Sequence, residues 1–188
     1  DCDVLLGVKE VNISDLIENK QYFFFSHTIK MQPYNQKLLK AIIDKNIQLV
    51  DYEVITNERR RRLIAFGVFA GMVGAHNALW TYGNRTKKFE MKRLKDCFDY
   101  AEAVELYKTM EWPTVKIVLS GSGRVSTGAA KVLEDMGISK VSPKSFLVKS
   151  FDMPVFCQLG CDKYVKHQDK SDFEKRHFYD NPKEYVSI

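Results

Sequence analysis

The sequence predicts an α/β fold in two parts, each built on a short parallel sheet. Three observations predict it. Continuous apolar runs recur at residues 4–8, 22–25 and 47–50, the pattern of strands covered on both faces. A stretch of helical periodicity separates the second run from the third. After Trp112-Pro113 the pattern restarts as strand, glycine-rich turn and helix.

The first run, D-V-L-L-G-V-K-E, ends in Lys9-Glu10, and the second ends in Ser26-His27 with Lys30 just beyond. In Y-N-Q-K-L-L-K-A-I-I-D-K-N, residues Leu38, Leu39, Ile42 and Ile43 recur at helical spacing, and Asn35 after Pro33 is expected to cap the start. The third run leads into Asp51-Tyr52-Glu53. Strand, helix, strand is a βαβ unit, whose crossover makes the flanking strands parallel. A turn, T-N-E-R-R, precedes an almost wholly apolar stretch at 63–80. That stretch carries Gly67, Gly71, Gly74, His76 and Asn77 and is at the short limit for spanning a membrane, so a buried, closely packed helix up to Gly83 is expected. A polar helix over roughly 89–110 follows, with a Leu94, Phe98, Ala101, Val104 stripe suited to a surface connector. Trp112-Pro113 breaks it and sets a domain boundary, giving parts 1–113 and 114–188. The second part opens with the strand V-K-I-V-L-S. A helix over 128–136 closes at Gly137, and a second strand, I-S-K-V, comes next. Residues 145–188 are polar and aromatic and show no readable period.

Composition is ordinary for a globular chain: 188 residues, 45% hydrophobic and 28% charged. The net charge of +5 is spread along the chain, and its densest run, 59–62, reads as a solvated turn. No nucleic-acid partner and no membrane partner are expected; a basic excess suits an anionic small molecule or a cofactor phosphate. The cysteines, Cys2, Cys97, Cys157 and Cys161, form no C-x-x-C pair, and His167 stands too isolated to complete a zinc set, so no metal site is expected. Free thiols suggest a reducing setting and a cytoplasmic location. Asp1 rather than Met stands first, and the chain reads as a fragment or a trimmed product.

The run V-L-S-G-S-G-R-V-S-T-G-A-A places Gly121, Ser122, Gly123, Arg124 and Gly128 where a strand turns into a helix. Glycine there permits positive φ and lets backbone amides approach a pyrophosphate, while Gly128 and Ala129 allow close packing on the sheet. The spacing is two residues longer than the usual G-x-G-x-x-G. No Asp or Glu ends the second strand, where Lys140, Ser142 and Lys144 stand instead, so NADP is favoured over NAD. In the first part, parallel strands bring Lys9, His27 and Glu53 to one sheet edge, where open α/β sheets bind ligands. Lys and His suit acid–base work, and a neighbouring carboxylate, Glu10 or Glu53, tunes the lysine. Arg61 and Arg62 suit a carboxylate or phosphate clamp.

The strings G-V-K-E, F-F-S-H-T-I-K-x-Q, L-V-D-Y-E, R-R-L-I-A-F-G-x-F-A-G and S-G-S-G-R-V-S-T-G-A together resemble the lysine–saccharopine dehydrogenases, which sit with alanine dehydrogenase and the transhydrogenase nucleotide-binding subunit. The resemblance implies two Rossmann-like domains around a cleft, both incomplete here. It implies Lys9 as general base, His27 as general acid and Glu10 and Glu53 as tuning carboxylates. It further implies Gln32, Arg62 and Phe66 at the substrate, and Arg61 with the glycine turn (Gly121, Ser122, Gly123, Arg124, Gly128) at an NAD or NADP cofactor. The implied reaction is oxidative deamination of saccharopine to lysine and 2-oxoglutarate, or its reverse, with this span inactive alone. The partner is a small amino-acid substrate, and a homo-oligomer is compatible. Rival readings are an alanine dehydrogenase-like enzyme and a non-catalytic nucleotide-binding domain.

Overall fold

The computed structural model describes residues 2–169 and 172–188. It separates into two compact units, Asp1–Ala65 and Phe66–Ile188.

In the first unit β1 (Val4–Lys9), β2 (Gln21–Phe25) and β3 (Gln48–Asp51) form a parallel sheet in the order β1-β2-β3. Helix α1 (Gln36–Asp44) is the crossover between β2 and β3 and buries Leu38 and Ile42 with Leu16, Tyr22, Phe24 and Ile47. β2, in the middle, is buried as its apolar run predicts, but β1 is not: Leu6 is 74% and Val8 58% exposed. Side chains alternate across a strand: Leu5, opposite Tyr22, points to the α1 face, and Leu6, opposite Phe23, points to the other face of the sheet. Only Leu5 of β1 packs against this core. Asn35 does not cap α1 through its side chain; its Nδ2 donates to the carbonyl of His27 at 3.1 Å instead.

The second unit begins with α2 (Gly67–Thr86), followed by α3 (Tyr100–Lys108), β4 (Lys116–Ser120), α4 (Arg124–Asp135), β5 (Ser139–Lys140), α5 (Pro143–Val148), β6 (Val155–Leu159), β7 (Val165–His167), α6 (Lys175–Asp180) and β8 (Tyr185–Ser187). The polar helix expected over 89–110 is shorter. Its first half is irregular, and α3 starts where Asp99 accepts a hydrogen bond from the Glu102 amide (2.9 Å) while Glu102 accepts from the Phe98 amide (2.5 Å). This reciprocal cap, D-Y-A-E, was a readable start signal that the apolar stripe obscured. Ala103 and Tyr107, not the exposed Phe98, make the buried face.

Helices α2 and α3 share a core with α4 through Met72, Leu79, Tyr107, Val132 and Leu133, which is why the units divide before α2 and not near Pro113. The α2–α4 contact is close. A Cβ on Gly71 would stand 1.8 Å from the Val125 carbonyl oxygen, and one on Gly128 1.9 Å from that of Val68. Gly128 thus serves helix–helix contact and not the helix–sheet packing expected of it. The sheet order is β4-β6-β5, all parallel, and β7 and β8 form a separate antiparallel pair. Among the described residues no helix is long and apolar enough to cross a membrane.

Candidate functional site

All three strands of the first sheet end on one edge, because they are parallel. The β1 register slips after Leu6 and sets Lys9 opposite Phe25, the last residue of β2. Two residues on, His27 has φ 57° and ψ 8°, a left-handed conformation that costs a non-glycine residue about 1–2 kcal/mol. Buried polar groups hold it there. Asp51 accepts from the Ser26 hydroxyl and from the amides of Ser26 (3.4 Å) and Glu53 (2.8 Å), so one carboxylate ties the ends of β2 and β3 together. The Thr28 amide donates to the Ser26 hydroxyl (3.1 Å), and Asn35 holds the His27 carbonyl.

The structure brings Lys9, His27 and Glu53 together. Lys9 Nζ lies 3.2 Å from His27 Nε2, and His27 Nδ1 lies 2.8 Å from Glu53 Oε2. Glu53 is only 3% exposed and also meets Arg62 (3.4 Å) and Lys30 (3.6 Å). Burial alone would raise the Glu53 carboxyl, but the hydrogen bond from His27 and the charges of His27, Lys30 and Arg62 outweigh it and hold its pKa below the ordinary value. Lys30 Nζ also approaches His27 Nδ1 at 3.0 Å. Both contacts cannot be hydrogen bonds at once, since Nδ1 either donates or accepts. The buried carboxylate is an acceptor only, so Nδ1–H donates to Glu53 and Lys30 serves the carboxylate. Nε2 is then the acceptor, and Lys9 donates to it. The result is a chain from ammonium to imidazole to carboxylate.

Glu10 is exposed and makes no hydrogen bond or ion pair with Lys9 or His27 among the described residues. Gln32 accepts from Tyr34 (2.6 Å) and lines a cavity of about 400 Å³ with Thr28, Met31 and Leu39. Arg61 is exposed, its amide held by the Asn57 side chain at 2.9 Å. Phe66 opens the second unit at the start of α2 and is half-exposed. Lys30, Asn35 and Asp51 have supporting parts the sequence did not assign; a buried Asp two residues before Glu53 was the one available hint.

The glycine turn has the form expected of it. Gly121 has φ +95°, and its amide donates to the Leu159 carbonyl at 2.7 Å. Ser126 Oγ donates back to the Gly121 carbonyl (2.8 Å), and Gln158 of β6 donates to Ser126 (2.6 Å), which fixes the turn. A Cβ at Gly123 would meet nothing within 4 Å, so the backbone ahead of α4 is open. Ser122 accepts from Lys175 Nζ at 3.3 Å, and Arg124 is exposed in the first turn of α4. The inserted order β4-β6-β5 changes one inference. The strand beside the turn is β6, which leads into Asp162, whereas Lys140, Ser142 and Lys144 belong to the outer strand β5 and the start of α5. The absence of an acid after β5 therefore says little about NADP.

One expectation is overturned in the C-terminal part. His167 is not isolated: His177 and Glu184 bring ligand atoms within 4.8 Å of it and of each other.

Residues 1–73 match the family model for the alanine dehydrogenase/PNT N-terminal domain. The chain is 30% identical to the mitochondrial alpha-aminoadipic semialdehyde synthase of Mus musculus, over 74% of this chain and 17% of that protein. It is 27% identical to the Arabidopsis thaliana enzyme of that name, over 100% of this chain and 21% of that one. It is 30% identical to the saccharopine dehydrogenase [NAD(+), L-lysine-forming] of Neurospora crassa, over 72% of this chain and 39% of that protein. The chain thus spans 17% to 21% of the length of the synthases. A solved L-alanine dehydrogenase aligns with a TM-score of 0.43 at 14% identity, covering 84% of this chain and 42% of that one. Residues 1–73 thus match the alanine dehydrogenase/PNT N-terminal domain family, and the chain is similar over 74% and 72% of its length to an alpha-aminoadipic semialdehyde synthase and a saccharopine dehydrogenase.

Proposed function

We propose that this chain supplies the substrate-binding part and the beginning of the dinucleotide-binding part of an NAD(P)-dependent oxidoreductase. That enzyme interconverts saccharopine with lysine and 2-oxoglutarate. The observation that carries this reading is the Lys9–His27–Glu53 chain of contacts at the carboxyl edge of the first sheet.

A nicotinamide dinucleotide held by the glycine turn and Arg124 would supply a hydride acceptor for the carbon that bears the secondary amine. Lys9, in its free-base form, removes the proton from the amine nitrogen as the C=N bond forms. That proton passes across the 3.2 Å contact to Nε2 of His27, which returns it to the nitrogen as water adds to the carbon, while Lys9, again a free base, takes one proton from the water. The second proton follows the same path from Lys9 through His27 to the nitrogen as the carbinolamine collapses, and Lys9 takes the hydroxyl proton, so that lysine leaves and the keto oxygen stays on 2-oxoglutarate with one proton left for release. Glu53, kept ionised by its cationic neighbours, stabilises the imidazolium and holds the ring orientation. Arg62 and Gln32 supply a cation and an amide for the substrate's carboxylates, with Phe66 as apolar lining and Glu10 as a more distant charge. The glycine turn offers the amides of Ser122 and Gly123 and the cations Arg124 and Lys175 to a pyrophosphate, and Arg61 is a further cation for the nucleotide.

The test is turnover by the intact protein, with saccharopine and NAD⁺ or NADP⁺ in one direction and lysine with 2-oxoglutarate in the other. Alanine serves as the competing substrate. Lys9→Ala and His27→Ala are expected to lower kcat by about 10²-fold or more. Nucleotide binding that survives both changes, with no turnover by the wild type, would overturn the proposal in favour of a non-catalytic nucleotide-binding domain.

A further inference from the structure

We infer a second ligand site, for a divalent transition-metal ion of the zinc type, formed by His167, His177 and Glu184 in the C-terminal part of the second unit. The three residues come from different local elements. His167 ends β7 and is buried, His177 lies on α6, and Glu184 precedes β8. Pairing of β7 with β8 sets His167 opposite Tyr185, next to Glu184. His167 Nε2 lies 3.0 Å and His177 Nε2 3.8 Å from Glu184 Oε2. Ligand atoms around a tetrahedral Zn²⁺ with bonds near 2.0–2.1 Å stand about 3.4 Å apart; the two distances to Glu184 bracket that spacing, and all three donors lie within 4.8 Å of one another.

Proton placement favours a cation between them. The Tyr185 hydroxyl donates to the Glu174 carbonyl at 3.3 Å, so its oxygen is left to accept from His177 Nδ1–H at 3.2 Å. His177 Nε2 then presents a lone pair to a carboxylate oxygen. A metal ion placed between them would draw on both lone pairs. An Nδ1–H anchored on an oxygen is also the usual outer support of a ligating histidine. Tyr185 packs on both imidazoles and is itself flanked by Phe173 and Phe178, which fixes the two rings.

His167 opposes binding in one respect. Its Nδ1 accepts from the Asp169 amide at 3.0 Å, so without metal its Nε2–H points at Glu184. Metal entry moves that proton from Nε2 to Nδ1 and requires the Asp169 amide to turn away. Two imidazoles and one carboxylate select Zn²⁺ or Co²⁺ over Mg²⁺ and Ca²⁺, which prefer oxygen ligands throughout.

Titration of the whole chain with Co²⁺, followed by absorption, tests the site. The expected spectrum shows d–d bands of low-coordinate Co²⁺ without a thiolate charge-transfer band. Zn²⁺ should displace it and raise Tm, and Mg²⁺ should do neither. Glu184→Gln keeps an acceptor for His167, and His177→Asn keeps a polar group on α6; each should weaken Co²⁺ binding at least tenfold with the metal-free Tm little changed. A charge-transfer band from cysteine, binding unaffected in both variants, or no binding at all would overturn the inference.

Discussion

Replacing Glu53 by Gln removes one negative charge from a buried acceptor at the carboxyl edge of the first sheet. Its carboxylate takes the His27 Nδ1–H and faces Arg62 and Lys30 while almost fully buried. A hydrogen bond to a charged group contributes about 1.5–3 kcal/mol. The Lys30 and Arg62 side chains are each 43% exposed, so their ion pairs add at most about 1 kcal/mol. The substitution should therefore cost about 2–3 kcal/mol at neutral pH. Because the folded pKa lies below the ordinary 4.5, the carboxylate's contribution is complete above that value and disappears as pH falls through the folded pKa. The gap between wild type and Glu53→Gln should thus be widest at pH 6–8 and close below about pH 4. Both tryptophans, Trp80 and Trp112, lie in the second unit, so hydrogen exchange of residues 21–53 is the assay and not tryptophan fluorescence. A gap that stays constant down to acid pH, or none at neutral pH, would refute this account of Glu53.

Three further outcomes follow from the same geometry. His27→Gly relieves the left-handed strain that His27→Ala retains, so it should be more stable than the alanine variant by about 1 kcal/mol by denaturant melts, with both inactive. Gly128→Ala drives a Cβ into the Val68 backbone and should cost about 1–3 kcal/mol or more, whereas Gly74→Ala meets nothing within 4 Å and should add about 0.5–1 kcal/mol, both read by Tm. His76 is buried, with Nε2–H on the Lys92 carbonyl (2.8 Å) and Nδ1 accepting from Tyr107 (2.6 Å), and desolvation holds its pKa below the ordinary 6.5 despite the Lys92 bond. The unfolded chain then binds the proton first, so Trp-monitored stability of the second unit should fall as pH drops below about 6.5, and His76→Gln should remove that part of the pH dependence.

The legible parts of this fold were those where local pattern and tertiary environment agree. β2 and α1 carry unbroken apolar signals and are buried accordingly. The glycine turn sits between a true strand and a true helix, and Gly121 takes the positive φ that only glycine adopts freely. β1 misled because an apolar run reports what a strand can tolerate on its faces, not what the present chain places there. The stripe over 89–110 misled because periodicity was read across a capping signal at Asp99. The strand order β4-β6-β5 was out of reach, since β6 lies in a segment without periodicity and β5 has only two residues.

The catalytic candidates were readable for a different reason. In a parallel sheet the chain order of strand ends is also a spatial order along one edge, so Lys9, His27 and Glu53 could be placed together without any side-chain information. What could not be read was how tightly. Contact at 3.2 and 2.8 Å depends on the register slip in β1, the left-handed turn at His27 and the Asp51 brace, none of which has a period. The His167–His177–Glu184 group shows the opposite case. Its members lie in an aromatic, aperiodic stretch, on a short strand, a six-residue helix and the turn before β8, where distance along the chain carries no information about distance in space. A sequence search for metal ligands looks for regular spacing, so it passes over sites whose spacing is set by a hairpin pairing such as His167 with Tyr185.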